Sequence, residues 1–223
     1  MWVGEPAGGS RVLDGPRAAP VGPSRPQGCG LLASGEMDYD DESPKDEELL
    51  EIIGRMHRAG INFLAVDFDK TLISEHTSGK WEGTVEELAS KTRPFFRRLI
   101  PLALDNRILV AIVTLSPQVP VITEMIQLVF PSHAEYILIR GDDNAWSYQG
   151  KGSLKGKQRH MASAAEELAN INRDSKCKIS RATTLLVDDD LDNVRWALSS
   201  HTRAILCDPN NLRRMVEDLR ELE

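Results

Sequence analysis

Acidic and hydroxyl side chains follow directly after three short apolar runs of this sequence. The residues are Asp67, Asp69 and Thr71 after the first run, Thr114 after the second, and Asp188, Asp189 and Asp190 after the third. A lysine, Lys157, precedes the third run. Packed carboxylates cannot all ionise without a compensating cation, and Mg²⁺ with oxygen ligands is the usual cation beside phosphate. These residue types therefore predict a magnesium site suited to phosphate chemistry.

The apolar runs have the length and composition of strands that are covered on both faces. We predict five strands, at residues 62–68, 108–114, 136–140, 183–188 and 203–207. Helical patterns occupy residues 46–60, 84–105 (with a break near Pro94), 116–130, 157–171, 191–199 and 209–222. Strands that alternate with helices indicate an α/β fold with a parallel sheet. In such sheets ligands bind outside the carboxyl ends of the strands, which would bring the acids, Thr114 and Lys157 together.

Composition sets the broad class of the protein. The chain has 223 residues, of which 41% are hydrophobic and 27% charged, which is typical of a globular protein. It contains no apolar run of the ~18 residues that a membrane span needs. Three cysteines, Cys29, Cys177 and Cys207, are too few and too scattered for a disulfide scaffold or a zinc site. These features favour an intracellular, cytoplasmic protein without a membrane anchor.

The net charge of −7 is concentrated near the N-terminus. Residues 36–51 hold nine acidic residues and one basic residue, whereas acids and bases balance over residues 52–223. A basic surface for nucleic acid is therefore not expected. Residues 1–36 are rich in Gly and Pro and predict a disordered extension. We expect an acidic segment with a helix at residues 37–60 and a catalytic domain at residues 61–223.

Four short motifs of this sequence, in their order along the chain, resemble those of the haloacid dehalogenase (HAD) superfamily in its phosphatase branch. An apolar strand followed by Asp67-x-Asp69-x-Thr71 matches the first motif, and Thr114 after a strand matches the second. Lys157 matches the third, and Asp188-Asp189 after a strand matches the fourth. The resemblance covers residues 62–209. It implies a Rossmann-like three-layer sandwich with the strand order 5-4-1-2-3.

The resemblance also implies a role for each motif residue in phosphomonoester hydrolysis. Asp67 would be the nucleophile that forms an aspartyl-phosphate, and Asp69 the general acid and base. Thr71 would hold the loop by hydrogen bonds and contribute to the substrate-binding site, while Thr114 and Lys157 would bind the phosphoryl group. Mg²⁺ would be held by Asp67, the backbone carbonyl of Asp69, and Asp188, with Asp189 either on the ion or on one of its ligands.

In the HAD superfamily, substrate-selecting cap domains are inserted at two positions, and the segments at these positions are short in this chain. About a dozen residues separate Thr71 from the helix near Thr84, and residues 141–156 could form no more than a hairpin. A minimal cap implies an open site for phosphorylated protein or other phosphorylated substrates, as in many small-capped members of the family. The magnesium-dependent phosphatases, which resemble this chain in size and in a following Arg93-Pro94 pair, are another small-capped group. The alternatives are a catalytically weak phosphate-binding or scaffold protein with this fold, or another phosphotransferase of the family.

Three assignments have alternatives at the level of sequence. Lys155 or Lys151 could take the place of Lys157, which is preferred because it begins a helical pattern. Asp190 could replace Asp188 as a metal ligand, although its position favours a cap of the following helix. The segment Asp69-Lys70-Thr71 is also similar to the phosphorylated segment of transport ATPases, in which Asp69 would be the nucleophile.

Overall fold

The computed structural model describes residues 45–148, 155–172 and 178–223. Seven α-helices and five β-strands lie in these ranges. In chain order they are α1 (Asp46–Arg58), β1 (Phe63–Val66), α2 (Val85–Ser90), α3 (Pro94–Asp105), β2 (Leu109–Val113), α4 (Val119–Val129), β3 (Ile137–Arg140), α5 (Gln158–Ile171), β4 (Thr184–Asp188), α6 (Leu191–Ser199), β5 (Arg203–Leu206) and α7 (Leu212–Arg220). The predicted disordered extension, most of the acidic segment, Lys151, Cys29 and Cys177 lie outside the described residues.

The five strands form one parallel sheet in the order β3-β2-β1-β4-β5. Counted from the opposite edge, this arrangement is 5-4-1-2-3. In the central register, Ala65 of β1 lies between Ala111 of β2 and Leu186 of β4. Every residue of β1 and β4 is buried, as expected for strands covered on both faces. The α/β class and the parallel sheet are thus confirmed.

Alternate residues of each strand point to opposite faces of the sheet and build two cores. Leu64 and Val66 pack on one side with α1, α3, α4 and α7. Phe63 and Ala65 pack on the other side with α5 and α6. The period-two alternation of a strand produces this division directly, because each residue that faces one layer is followed by one that faces the other. Helices therefore cover both faces of the sheet.

Two helices begin later than the sequence predicted. α4 begins at Val119 rather than at Ser116-Pro117, because Ser116 Oγ accepts the Gln118 N–H at 3.4 Å in a turn before the helix. α7 begins at Leu212 rather than at residue 209, because Asp208 accepts the Asn210 N–H at 2.9 Å in another such turn. Hydroxyl and carboxylate side chains commonly compete with a helix in this way.

The two loops at the predicted cap positions hold little regular structure. Between Leu72 and Val85 there is a single isolated bridge, Ile73 to Thr92, and no helix or strand. Residues 141–148 and 155–156 form no strand, and residues 149–154 of the predicted hairpin segment lie outside the described residues. Among the helices in the described ranges, none has the length and apolarity needed to cross a membrane.

Candidate functional site

The chain leaves β1 through a wide turn that presents Asp67 and Asp69. The Asp67 N–H still donates to Val187 O of β4 at 2.9 Å. Asp69 (φ −67°, ψ 133°) and Lys70 (φ 58°, ψ −8°) then have the dihedral angles of a type II turn. The third residue of such a turn is usually Gly, so Lys70 holds a conformation that costs roughly 1 kcal/mol. Strain of this kind persists only where the surroundings hold it.

Arg93, at the start of α3, fixes this turn from outside. Its Nε donates to Thr71 O at 3.1 Å and its Nη2 donates to Lys70 O at 3.0 Å. A planar guanidinium is suited to two successive carbonyls, because its donors are held in a rigid fork. The side chain therefore stabilises the strained Lys70 conformation.

Lys157 lies at the floor of the site and is 3% exposed. Its Nζ donates to Asp67 Oδ1, to Val113 O at 3.1 Å and to Asp188 Oδ2 at 3.2 Å. The preceding Gly156 has φ 54°, and a Cβ there would lie 2.6 Å from Asn193 Oδ1. A side chain at position 156 would thus separate the Lys157 segment from α6. Glycine allows the close approach that carries the ammonium group to both aspartates.

Asp188, the last residue of β4, is also held by several donors. Asn193 Nδ2 lies 3.1 Å from each carboxylate oxygen, and the Asp190 N–H donates to Oδ1 at 2.9 Å. The Asp190 side chain accepts the Asp192 N–H at 2.8 Å as the N-cap of α6. The prediction that Asp190 caps this helix is confirmed.

Three carboxylates converge at this edge of the sheet. Asp67, Asp188 and Asp189 each offer an oxygen within 4.8 Å of the others. Burial raises the pKa of the Asp67 carboxyl, against the opposing charge of Lys157. Burial and the neighbouring Asp67 raise the pKa of Asp188, and burial and Asp188 raise that of Asp189. The cause is the same for all three, since removal from water disfavours the charged form.

The charge state of Lys157 follows from the same cluster. Burial lowers its pKa, but the charges and hydrogen bonds of Asp67 and Asp188 outweigh this effect, so the pKa of Lys157 is raised overall. The ammonium group is therefore charged across the physiological range. One buried cation faces three carboxylates, which is the electrostatic situation that a divalent ion relieves.

Asp69 is held apart from the other carboxylates by the following loop. The Thr77 N–H donates to Asp69 Oδ1 at 3.0 Å, and Thr77 Oγ1 lies 3.2 Å from Oδ2. Gln118 Nε2 donates to Thr77 Oγ1 at 2.6 Å, while Gln118 Oε1 accepts the Trp81 N–H at 2.7 Å. Because Gln118 donates to the Thr77 hydroxyl, the hydroxyl proton is directed toward Asp69. His76 Nδ1 lies 3.5 Å from Oδ2.

Thr114 follows β2 and is nearly fully buried. Its Oγ1 accepts the Ser116 N–H at 3.1 Å, which leaves its hydroxyl proton available to a ligand as far as the described residues show. The loop is packed against the loop after β3: Gly141 is so close that a Cβ would lie 2.5 Å from Ser116 O. The absence of a side chain at Gly141 thus lets the two loops support each other.

The aspartates, Thr114 and Lys157 line one open cleft of about 840 Å³ at the carboxyl edge of the sheet. Among the described residues that line it there are five carboxylates and two lysines, Lys70 and Lys157. The carboxylates belong to Asp67, Asp69, Asp188, Asp189 and Asp190. An anionic ligand would be repelled by this surplus of negative charge unless a cation were bound. The donor set, which is made of oxygen atoms, could hold a hard metal cation.

The cleft brings together every predicted site residue except Thr71. The side chain of Thr71 is fully buried and does not line the cleft, and its Oγ1 has no hydrogen-bond partner among the residues that the structure describes. The prediction that Thr71 holds the loop by side-chain hydrogen bonds is wrong. Arg93 has that function instead, through the backbone carbonyls of Lys70 and Thr71. Lys155, the alternative to Lys157, is exposed and does not line the cleft.

Thr77, Gln118 and Arg93 are site residues that the sequence did not identify as such. Gln118 and Thr77 are 41 positions apart, and Arg93 is 22 positions from Thr71. No spacing rule connects residues at such separations. The Arg93-Pro94 pair indicates the start of α3 in the sequence. It does not indicate which turn the Arg93 side chain contacts.

Comparison of the chain with protein-family models, with curated proteins and with solved structures finds no match. Its function is therefore inferred from the geometry of the cleft.

Proposed function

We propose that this protein is a Mg²⁺-dependent phosphomonoester hydrolase of the HAD type, which works through an aspartyl-phosphate on Asp67. The observation that carries this proposal is the convergence of a buried Asp67–Lys157–Asp188 cluster with Asp69 and Thr114 in one cleft. Each residue type in the cleft has a use in phosphoryl transfer. A purely structural ion pair would not need an open cleft at the same place.

Asp67 is the proposed nucleophile. Its carboxylate oxygen attacks phosphorus and forms a new P–O bond, while the bond from phosphorus to the substrate alcohol breaks. Lys157 favours the ionised form of Asp67, because its charge opposes the rise in pKa that burial causes. Lys157 and the Thr114 hydroxyl are the donors that would stabilise the phosphoryl oxygens.

Asp69 is the proposed general acid and base. It gives a proton to the departing alkoxide and then takes one from the water that attacks the aspartyl-phosphate. That second attack releases inorganic phosphate and restores the Asp67 carboxylate. Thr77 limits the positions open to the Asp69 carboxylate, since both of its oxygens accept hydrogen bonds from this residue.

The carboxylates of Asp67, Asp188 and Asp189 would hold Mg²⁺, with the Asp69 carbonyl as the fourth proposed ligand. The fit rests on three oxygen donors within 4.8 Å and on the surplus of negative charge in the cleft. When bound, the ion would neutralise charge between the nucleophile and the phosphate dianion. The open cleft supports phosphorylated substrates of more than one size, from small esters to phosphoproteins.

A panel of small phosphoesters, nucleotides and phosphopeptides with Mg²⁺ tests this proposal. We expect turnover by the native chain and a loss of at least about 1,000-fold in Asp67→Asn. Asp105→Asn is the matched control: Asp105 is the last residue of α3, does not line the cleft, and its replacement should keep full activity. Equal activity of Asp67→Asn and the native chain would contradict the proposal. Phosphate binding without turnover would instead favour a phosphate-binding protein.

The role of Asp69 has its own test. The loss of activity in Asp69→Asn should be larger for esters with poor leaving groups than for p-nitrophenyl phosphate, because poor leaving groups depend most on protonation. An equal loss for both kinds of ester would contradict the acid role.

A further inference from the structure

Two exposed leucines border the cleft on opposite sides of Asp67. Leu115 follows Thr114 after β2, and Leu191 is the first residue of α6 after β4. Because β1 lies between β2 and β4, these residues stand on the two sides of the strand that ends at Asp67. Leu115 is 50% exposed and Leu191 is 45% exposed, and both line the cleft together with Pro117. We refer to Leu115, Pro117 and Leu191 as the apolar rim.

The apolar rim contrasts with the rest of the cleft. The rest of the cleft lining includes Lys157 and the aspartates, together with Lys70, His76 and Ser78. Single exposed leucines are common and need no explanation. Here, however, the loop after β2 and the start of α6 place exposed apolar side chains in the lining of one charged cleft. Adjacent strands are about 4.8 Å apart, so β2 and β4 are separated by roughly 10 Å, which is wide enough for an alkyl chain or a ring.

The volume of the cleft exceeds what a phosphate group fills. At about 840 Å³ it falls within the range of pockets that enclose most of a small organic ligand. A phosphoryl group at Lys157 and Thr114 would leave the remainder of the substrate between the leucines. Contact with apolar carbon would remove their side chains from water, which is favourable in proportion to the area covered.

We propose that the apolar rim selects phosphomonoesters whose alcohol portion is apolar within its first few carbon atoms. This inference rests on the proposed function and specifies its substrate class. Polar alcohols, such as glycerol or a sugar, would have to shed water against Leu115 and Leu191 without a hydrogen bond in return.

A homologous series of ethyl, butyl and hexyl phosphate tests this inference. All three are primary alkyl esters with leaving groups of nearly equal reactivity, so they differ mainly in apolar surface. Full burial of a methylene group corresponds to about fourfold in kcat/KM. For an open rim we expect about twofold per methylene, or roughly 16-fold from ethyl to hexyl phosphate.

The chain offers a closely matched control for each leucine. Leu128 (52% exposed) lies near the end of α4, and Leu198 (53% exposed) lies in the same helix as Leu191. Neither lines the cleft. Leu115→Ser and Leu191→Ser should each reduce the hexyl-to-ethyl ratio at least threefold, whereas Leu128→Ser and Leu198→Ser should leave it unchanged. A ratio below twofold in the native chain, or an equal decline in the controls, would overturn the inference.

Binding of ethyl- and hexylphosphonate, measured by calorimetry in Mg²⁺, gives a readout that does not need turnover. Tighter binding of hexylphosphonate that is lost in Leu115→Ser and Leu191→Ser supports the apolar rim. If that binding pattern appears without hydrolysis of any ester, the proposed hydrolase function is wrong while the proposed selection by the apolar rim is supported. Equal affinity for the two phosphonates overturns the inference whether or not the protein is a phosphatase.

Discussion

At the scale of single residues, the position of the Asp69 carboxylate depends on a side chain from the next loop. Both Thr77 donors are directed at it, and Gln118 fixes the direction of the Thr77 hydroxyl. The orientation of the Gln118 amide is set in turn by the Trp81 N–H. In the proposed mechanism Asp69 would serve two successive steps as acid and base, and it would benefit from such support because small displacements of a catalytic group reduce rates strongly.

We predict that Thr77→Val lowers kcat about tenfold and leaves KM within about twofold, because one hydrogen bond to a charged group is lost. Thr77→Ser, which keeps the hydroxyl, should restore most of the activity. Steady-state kinetics with an alkyl phosphate measures the effect. Thr123→Val removes a comparable hydroxyl, bonded to Val119 O in α4, and serves as the control. A rise in KM alone would show that Thr77 binds substrate rather than positioning Asp69.

At the scale of elements, the start of α3 holds the turn that follows β1. Arg93→Ala should lower the free energy of unfolding by about 1–2 kcal/mol and kcat about tenfold, because two carbonyls of the strained turn lose their donor. Arg93→Lys should not restore activity, since a single ammonium group cannot reproduce the fork. Chemical denaturation and kinetics on the same preparations measure both effects.

Arg97→Ala is the control for that prediction. Arg97 lies one helical turn further along α3, and its Nε donates to Thr92 O at 3.2 Å, away from the Lys70 turn. The Arg97→Ala variant should lose about as much unfolding free energy as Arg93→Ala while keeping its activity. Equal losses of activity in Arg93→Ala and Arg97→Ala would contradict a specific role for Arg93.

The first turn of α5 carries a buried histidine whose titration affects stability. His160 Nε2 lies 2.9 Å from Asp142 Oδ1, its ring contacts Trp146, and its Nδ1 has no partner in the described part of the chain. Burial lowers the pKa of His160 to about 4, with the positive charges of Arg159 and Lys157 acting in the same direction and Asp142 opposing them. Protonation would leave a buried N–H without an acceptor.

The sign of the resulting pH dependence follows from proton binding. Between the unfolded pKa of about 6.5 and the folded pKa of about 4, the unfolded chain binds more protons than the folded protein. The contribution of His160 is therefore complete above pH 6.5 and is lost as pH falls toward 4. We expect the native chain to lose about 2 kcal/mol more than His160→Gln between pH 7 and pH 5. Chemical denaturation at each pH measures the free energy of unfolding of both proteins. An equal loss in the two proteins between pH 7 and pH 5 would refute this prediction.

At the scale of the whole molecule, Mg²⁺ binding should stabilise the fold. Asp67 and Asp188 come from β1 and β4, so their carboxylates meet only in the folded sheet. Binding to the folded state alone adds about 2.7 kcal/mol at 100-fold excess over Kd, which corresponds to roughly 5–10 °C in Tm for a domain of this size. A thermal melt with Mg²⁺ and with chelator measures the shift.

Two variants separate specific binding from a general effect of the ion. Asp188→Asn should abolish the thermal shift, because it removes a charge from the carboxylate cluster. Asp105→Asn, which changes a distant surface acid, should retain it. A shift that survives in Asp188→Asn, or that is absent from the native chain, would exclude the proposed ligands.

The sequence by itself determined the order of the elements and the edge at which the site forms. Strands that are buried on both faces require unbroken apolar runs, and the carboxyl ends of parallel strands must meet at one edge. Asp67, Thr114 and Asp188 could therefore be assigned to one cleft before any contact was known, and Lys157 with them. Asp190 was identified as a helix cap because capping depends on neighbouring residues alone.

Only the tertiary structure decided which groups support these residues. Thr71 was expected to hold the loop, but its side chain is buried and Arg93 makes the contacts instead. Thr77, Gln118 and the rim residues Leu115 and Pro117 lie in loops, whose conformations are set by contacts with distant parts of the chain rather than by periodicity. Helix and strand patterns repeat along the sequence and can be recognised there. The loop contacts occur once each, between residues far apart, and become visible only when the sheet has brought its loops together.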